Sequence, residues 1–205
     1  MQVSIQFNSY IASPYWPAKE LVIRIQKDSG VNRQKSDEKR TAALKAQCNK
    51  MGMTYEAYLA AIKDSERQWY VNDAGYIYIP RHQLAGAFVE AVGQSPKALR
   101  GPFTKDNFRA LVQVGDFTTE KTKADGVFER YVKLDASNMR SLQRNEYIGN
   151  YLTEGKEFVA KGVILPSDKR QADTVKRLLQ QVVESIGVGG SRKMGFGRGV
   201  VLSCE

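Results

Sequence analysis

The segment IGVGGSRKMGFGRGVVLSCE at the end of the sequence concentrates residues whose types and spacing can do chemistry. Gly187, Gly189, Gly190, Gly195, Gly197 and Gly199 crowd together, with Ser191, Arg192, Lys193 and Arg198 among them. A glycine in regular structure costs about 0.5–1 kcal/mol relative to alanine. So many in one stretch imply a backbone that needs unusual dihedral angles or close approach to another group. Such a bend presents backbone N–H groups, and the basic side chains add positive charge, a combination suited to phosphates. A nucleotide-binding P-loop is excluded because no Gly-Lys-Ser/Thr opens a helix, and a dinucleotide fingerprint because this loop follows a helix and leads into a strand. The plainer alternative is a turn that only lets the last helix pack on a sheet.

His82 is the one histidine, and Arg81 precedes it. A histidine titrates near pH 6.5 and can serve as a general base. Here it stands at a predicted helix start, where a phosphate contact, a stacking contact or a plain surface position accounts for it equally. No second base or orienting partner is evident, so no catalytic residue is assigned. Asp28, Asp64 and Asp73 precede that helix without a recognisable motif, and Asp73 fits a turn. Cys48 and Cys204 are far apart and lack nearby histidines, so no metal site and no cofactor are expected.

The elements that must position these residues follow from periodicity. Val3, Ile5 and Phe7 alternate with polar residues as in a half-buried strand, and Leu21, Ile23 and Ile25 repeat the pattern after a break at SPYWP. Ser36 caps a predicted helix carrying Leu44, Cys48 and Met51 on one face, and Thr54 opens another with Tyr55, Tyr58, Leu59 and Ile62. Residues 32–68 therefore read as a helical insertion between strands. QWYVNDAGYIYIP reads as a hairpin turning at Asn72, Asp73 and Gly75. Pro80 opens a helix with Leu84, Ala87, Phe88 and Ala91 inward. FRALVQV is a predicted strand. TTEKTKADGVFERYVKLD is expected as a projecting charged hairpin over about 117–135, turning at Asp125 and Gly126. EFVAKGVIL is a strand. Ser167 is expected to cap a final helix whose stripe is Val175, Leu178, Leu179, Val182, Val183 and Ile186. This order predicts an α+β fold with an antiparallel sheet, most naturally ferredoxin-like, in one domain spanning 1–205.

The charge narrows the partners. Lys and Arg number 31 against 22 Asp and Glu, a net charge of +9, which favours a polyanion. No run of about 20 apolar residues spans a membrane. The start, MQVSIQFNSY, lacks the basic and apolar regions of a secretory signal, so a cytoplasmic location is expected.

GVGGSRKMGFGRG resembles the glycine-rich loop of the RAMP superfamily of CRISPR–Cas proteins, with a GG pair, a short basic segment and GxG before a final strand. IYIPRHQLAGAFVEAV resembles the superfamily's turn into its first helix through Tyr78, Ile79, Pro80, Leu84 and Gly86, with Arg81 and His82 departing from the usual small residues. NEYIGNYLTEGKEFVAKGVIL resembles a third segment through Glu146, Gly155 and Phe158. The three stand in the superfamily's order and cover about a third of the chain; the insertion has no counterpart.

The resemblance implies a crRNA-binding backbone subunit of a type III-like effector complex. Its palm is ferredoxin-like (RRM-like), the insertion is a side domain and the hairpin is a thumb. It implies a guide RNA (crRNA), a target nucleic acid, further copies of the chain and other effector subunits as partners. Gly189, Gly190, Ser191, Arg192, Lys193, Gly195, Gly197 and Arg198 are the expected RNA-binding loop, joined by Arg81 and His82 and by Lys121, Lys123, Arg130 and Lys133 on the hairpin. Lys169, Arg170, Lys176 and Arg177 are expected on the wet face of the last helix. The alternatives are a guide-precursor processing endoribonuclease using His82, a mimic of the backbone subunit encoded by a phage or mobile element, and a basic α+β domain outside the superfamily.

Overall fold

A computed structural model describes residues 1–12, 17–133, 140–151 and 156–205. The chain divides into two compact units, one formed by Met1–Ser13 with Trp69–Glu205 and the other by Pro14–Gln68.

In the larger unit, the alternation at the start of the sequence becomes β1 (Gln2–Phe7), with Val3, Ile5 and Phe7 buried, followed by β2 (Ser9–Tyr10). The smaller unit holds α1 (Pro17–Ser29), α2 (Asp37–Lys50) and α3 (Tyr55–Ser65). The expected strand at Leu21–Ile25 is therefore a helix. The LVIRI segment places apolar residues at both strand and helix spacings, and tertiary packing decides. Val22 and Ile25, three apart, are buried with Cys48 and Tyr58 of the neighbouring helices, while Ile23 is 55% exposed. Ser36 and Thr54 cap α2 and α3 as expected, accepting from the Lys39 and Ala57 N–H groups. Leu59, expected inward, lies outside the core.

Returning to the larger unit, Val71 bridges Ile77 around a turn in which the Asn72 side chain accepts from the Ala74 and Tyr76 N–H groups. β3 (Tyr78–Ile79) leads through Pro80 into α4 (Arg81–Gln94), which buries Leu84, Ala87, Phe88 and Ala91. Two short turns, α5 (Lys97–Arg100) and α6 (Phe108–Leu111), precede β4 (Val112–Val114) and β5 (Phe117–Thr119). FRALVQV is thus half helical turn and half strand. β6 (Gly126–Lys133) and β7 (Arg140–Gly149) pair throughout, from Gly126 opposite Tyr147 to Lys133 opposite Arg140. The long β-ribbon of the unit therefore uses these two strands. The stretch expected as one hairpin is divided, because β5 has pairing partners in the main sheet while the Asp125–Gly126 turn starts the ribbon. β8 (Phe158–Pro166), α7 (Ala172–Gln181) and β9 (Gly199–Cys204) complete the unit. α7 is led in by a 3₁₀ turn capped by Asp168, whose side chain accepts from the Arg170 N–H. The expected Ser167 instead donates its own N–H to Leu111.

The main antiparallel sheet has the order β3-β5-β8-β1-β9, with β4 paired to β8 beside β5. Taking β4 and β5 as one strand interrupted at Gly115 and Asp116, the β1-α4-β4/β5-β8-α7-β9 path is the ferredoxin-like βαββαβ arrangement. The fold is α+β. α4 and the α7 stripe, extended by a π-turn over Val182–Ile186, pack on each other and against β4 and β9, and Val3, Ile5 and Phe7 of β1 are buried. A second sheet, β2-β7-β6, carries the ribbon. Its base is sealed by Ile11, Phe128, Tyr147 and Phe196, with Tyr151 stacked on Phe196 at 4.6 Å.

Phe196 is fully buried. Deleting a ring from such a cluster costs about 3–5 kcal/mol. Phe196→Ala is expected to lower the urea midpoint accordingly, with faster amide exchange in β6 and β7 than in β1 and β8. A destabilisation below about 1 kcal/mol would mean the cluster does not hold the ribbon.

Candidate nucleic-acid interface

The glycine-rich loop closes α7 and enters β9. Gly187, Gly189, Gly195 and Gly197 all have φ between 77° and 93°, and Ser191 joins them at φ 52°. A side chain on Gly197 would collide with the Val188 backbone, and one on Gly189 with Ile11 and the Tyr10 ring. These glycines permit a backbone that doubles back against the strand pair at the start of the chain. Several of the N–H groups expected to face an anion are occupied internally. Gly190 donates to Ile11 at 2.7 Å, Gly197 to Ser9 at 2.7 Å, Gly195 to Arg192 at 3.0 Å and Gly187 to Val182 at 2.7 Å. Buried backbone donors need partners, and a loop wedged between strands finds them there. That leaves the side chains as the loop's main means of meeting a ligand.

Arg192, Lys193 and Arg198 line a shallow recess with Glu90 and Gln94 of α4. Lys193 and Arg198 are exposed. Arg192 is half-buried and donates to the Glu90 carboxylate at 2.6 Å, across 102 residues of sequence. Glu90 was not legible as part of this site, because the contact depends on how α4 lies beside the loop. Arg192 also borders a groove of about 280 Å³ with Gly189 of the loop and His82, Gln83 and Gly86 of α4. The fold thus brings the loop and the start of α4 onto one groove.

Gln83 fixes that juxtaposition. The buried Tyr10 hydroxyl donates to its Oε1 at 2.6 Å, and its Nε2 donates to the Ala12 carbonyl. Burial, then the neighbouring Tyr70 and Tyr78, hold the Tyr10 phenol far above its ordinary pKa, so it stays a donor. Tyr10 also packs beside Trp69, whose indole N–H donates to Glu146 at 2.6 Å. Glu146, singled out from the sequence, holds an aromatic side chain there.

The start of α4 differs from a vacant anion site. The Asp116 carboxylate accepts from the Arg81 N–H at 2.7 Å and so occupies the positive end of the helix. The Arg81 and His82 side chains are exposed beyond it, and the His82 ring meets the Tyr70 ring edge-on at 5.7 Å. Arg109, which the sequence reading passed over, borders a further groove with Arg81 and His82. The cue was the Phe108–Arg109 pair, an apolar anchor beside a cation.

The ribbon residues lie apart from these grooves. Lys121 is paired with Asp125 at 2.7 Å, and the same carboxylate accepts from the Gly149 N–H, so this lysine braces the ribbon's first turn. Lys123 is exposed. Arg130 donates to Gln143 across the ribbon at 3.2 Å. The Lys133 side chain and Gly155 lie outside the described residues. Arg170, expected on the last helix, pairs with Asp168 at 2.8 Å in the 3₁₀ turn that leads into α7.

No protein-family profile and no curated protein matches the chain. Among solved structures, the crystal structure of Cmr6 from Pyrococcus furiosus aligns over 99% of this chain and 97% of its own, with 9% identity and a TM-score of 0.36. A likeness at that level carries no functional argument. Among the described residues, no helix is long and apolar enough to cross a membrane.

Glu90 stands where a ligand phosphate would have to compete for Arg192. Glu90→Gln is expected to raise affinity for a single-stranded RNA dodecamer a few-fold, in keeping with the modest worth of a half-exposed ion pair. Weaker binding in fluorescence anisotropy would show instead that Glu90 holds Arg192 in its working position.

Proposed function

We propose that this chain is a crRNA-binding backbone subunit of a CRISPR–Cas effector complex of RAMP type. The observation that carries the reading is the convergence of Arg192, Lys193 and Arg198 on a glycine-built loop, beside the helix that begins with Arg81 and His82. The three sequence segments that resemble the superfamily supply this loop, this helix and the β7–β8 region. In the proposal, the loop side chains hold successive phosphates, and Arg81 and His82 extend the contact along α4. The exposed Lys123 and Arg130 meet the strand where it passes the ribbon. Such contacts set position and affinity without reading sequence. The Pro14–Gln68 unit acts as a side domain, and copies of the chain with other effector subunits line the guide along its target in the cytoplasm. His82 serves as a binding residue in this reading, since its ring lies edge-on to an aromatic ring.

Purification from the native host without nuclease, followed by sequencing of bound RNA, tests the reading. Short RNAs of uniform length with one repeat-derived end are the expected result, and clean protein or random host RNA would overturn it.

Arg192→Ala combined with Lys193→Ala is expected to weaken binding to unrelated single-stranded RNAs alike. It should also flatten the log–log salt dependence by about 0.7 for each phosphate that the two cations no longer neutralise. An unchanged affinity and slope would remove the loop from the interface.

A further inference from the structure

The α4 start also borders a groove of about 630 Å³, of which the RNA-binding reading uses only Arg81 and His82 at the rim. That is within the range of roughly 300–1,000 Å³ typical of small-molecule sites. Its rim carries three basic side chains, Arg81, His82 and Arg109. Its wall is apolar at Ala85, Val114 and Leu165, and Leu165 is 51% exposed although it sits in the sheet. Gln113 adds one amide, a donor and an acceptor together.

The position of Arg109 is built in. Phe108 is fully buried and stacks on Phe88 of α4 at 5.0 Å. Asn107 and Thr104 cap the turn reciprocally, the Thr104 N–H donating to the Asn107 side chain at 2.7 Å and the Asn107 N–H to the Thr104 hydroxyl at 3.2 Å. With its neighbour anchored inward, Arg109 is exposed at the rim. Asp116, a carboxylate at the α4 start, is engaged with the Arg81 N–H.

We propose that this groove seats one nucleotide of a bound RNA strand, its phosphate on Arg81 and Arg109 and its base against the Ala85–Leu165 wall within reach of Gln113. Charge complementarity selects the occupant: cations ring an apolar slot, which suits a phosphate attached to a flat aromatic base. A strand-adding peptide fits less well, because β4 spans three residues and its run is broken at Gly115 and Asp116. His82 borders both this groove and the one beside the loop, so a strand held by the loop phosphate contacts can turn over the α4 start and place a base here. This inference rests on the RNA-binding reading.

The test uses the full chain, a labelled RNA dodecamer and a dodecamer of the same backbone lacking all bases. The wild type should prefer the RNA with bases by about 5- to 100-fold. Ala85→Phe, which fills the groove without touching charge, should lose most of that preference with an unchanged salt slope. Arg109→Gln should bind both oligomers more weakly and lower the salt slope by about 0.7. Thermal melts would confirm that both variants fold. Wild-type RNA binding with the base preference intact in Ala85→Phe, or with Arg109→Gln binding as the wild type does, would overturn the groove alone. Failure of the wild type to bind either oligomer would overturn the RNA-binding reading as well.

Discussion

The arrangement depends on the seating of Phe196. It lies between two positive-φ glycines, and its ring closes a cluster with Phe128, Tyr147 and Tyr151 at the base of the ribbon. One fully buried ring thus joins the last loop, the ribbon and the first strands. A Cβ on Gly197 would strike the Val188 backbone, and one on Gly189 the Ile11 carbonyl, whereas one on Gly195 would meet open space. Packing at crystal-like density leaves no slack for such atoms. Close approach thus explains Gly189 and Gly197, and the left-handed backbone explains Gly195.

That constraint changes what the loop can do. With several N–H groups directed at Ile11, Ser9 and neighbouring carbonyls, the backbone acts as a rigid mount. In the proposed reading, binding then resides in the Arg192, Lys193 and Arg198 side chains that this loop carries. A mount of this kind holds cations in fixed relation to one another, which lowers the ordering cost of meeting a charged strand. Glu90 offsets part of that charge and limits how strongly Arg192 attracts an anion.

The start of α4 is the second fixed point. Tyr10, buried and protonated, holds Gln83, and Asp116 takes the Arg81 N–H. The first turn of the helix is thereby locked from two sides, with one groove toward the glycine loop and another toward Arg109 and β4. Exposed Arg81 and Arg109 border the second groove and half-buried Arg192 the first, while Asp116 and Glu90 are already hydrogen-bonded.

Local patterns in the sequence determined much of this. The alternation of Val3, Ile5 and Phe7 set a strand, the Val175–Ile186 stripe set a helix, and Ser36 and Thr54 marked helix starts, because these signals act within a few residues of chain. The glycine-rich loop and its basic side chains were equally legible. Only the tertiary structure decided that Leu21–Ile25 is helical, since its apolar spacing fits either period until Cys48 and Tyr58 supply a face to pack against. It also decided that β5 joins the main sheet while β6 pairs with β7, because strand pairing is a choice among distant partners. The partners of charge were hidden for the same reason: Glu90 with Arg192, Asp116 with the start of α4, and Arg109 beside His82. Such contacts are fixed by where whole elements come to rest, and no spacing along the chain encodes that.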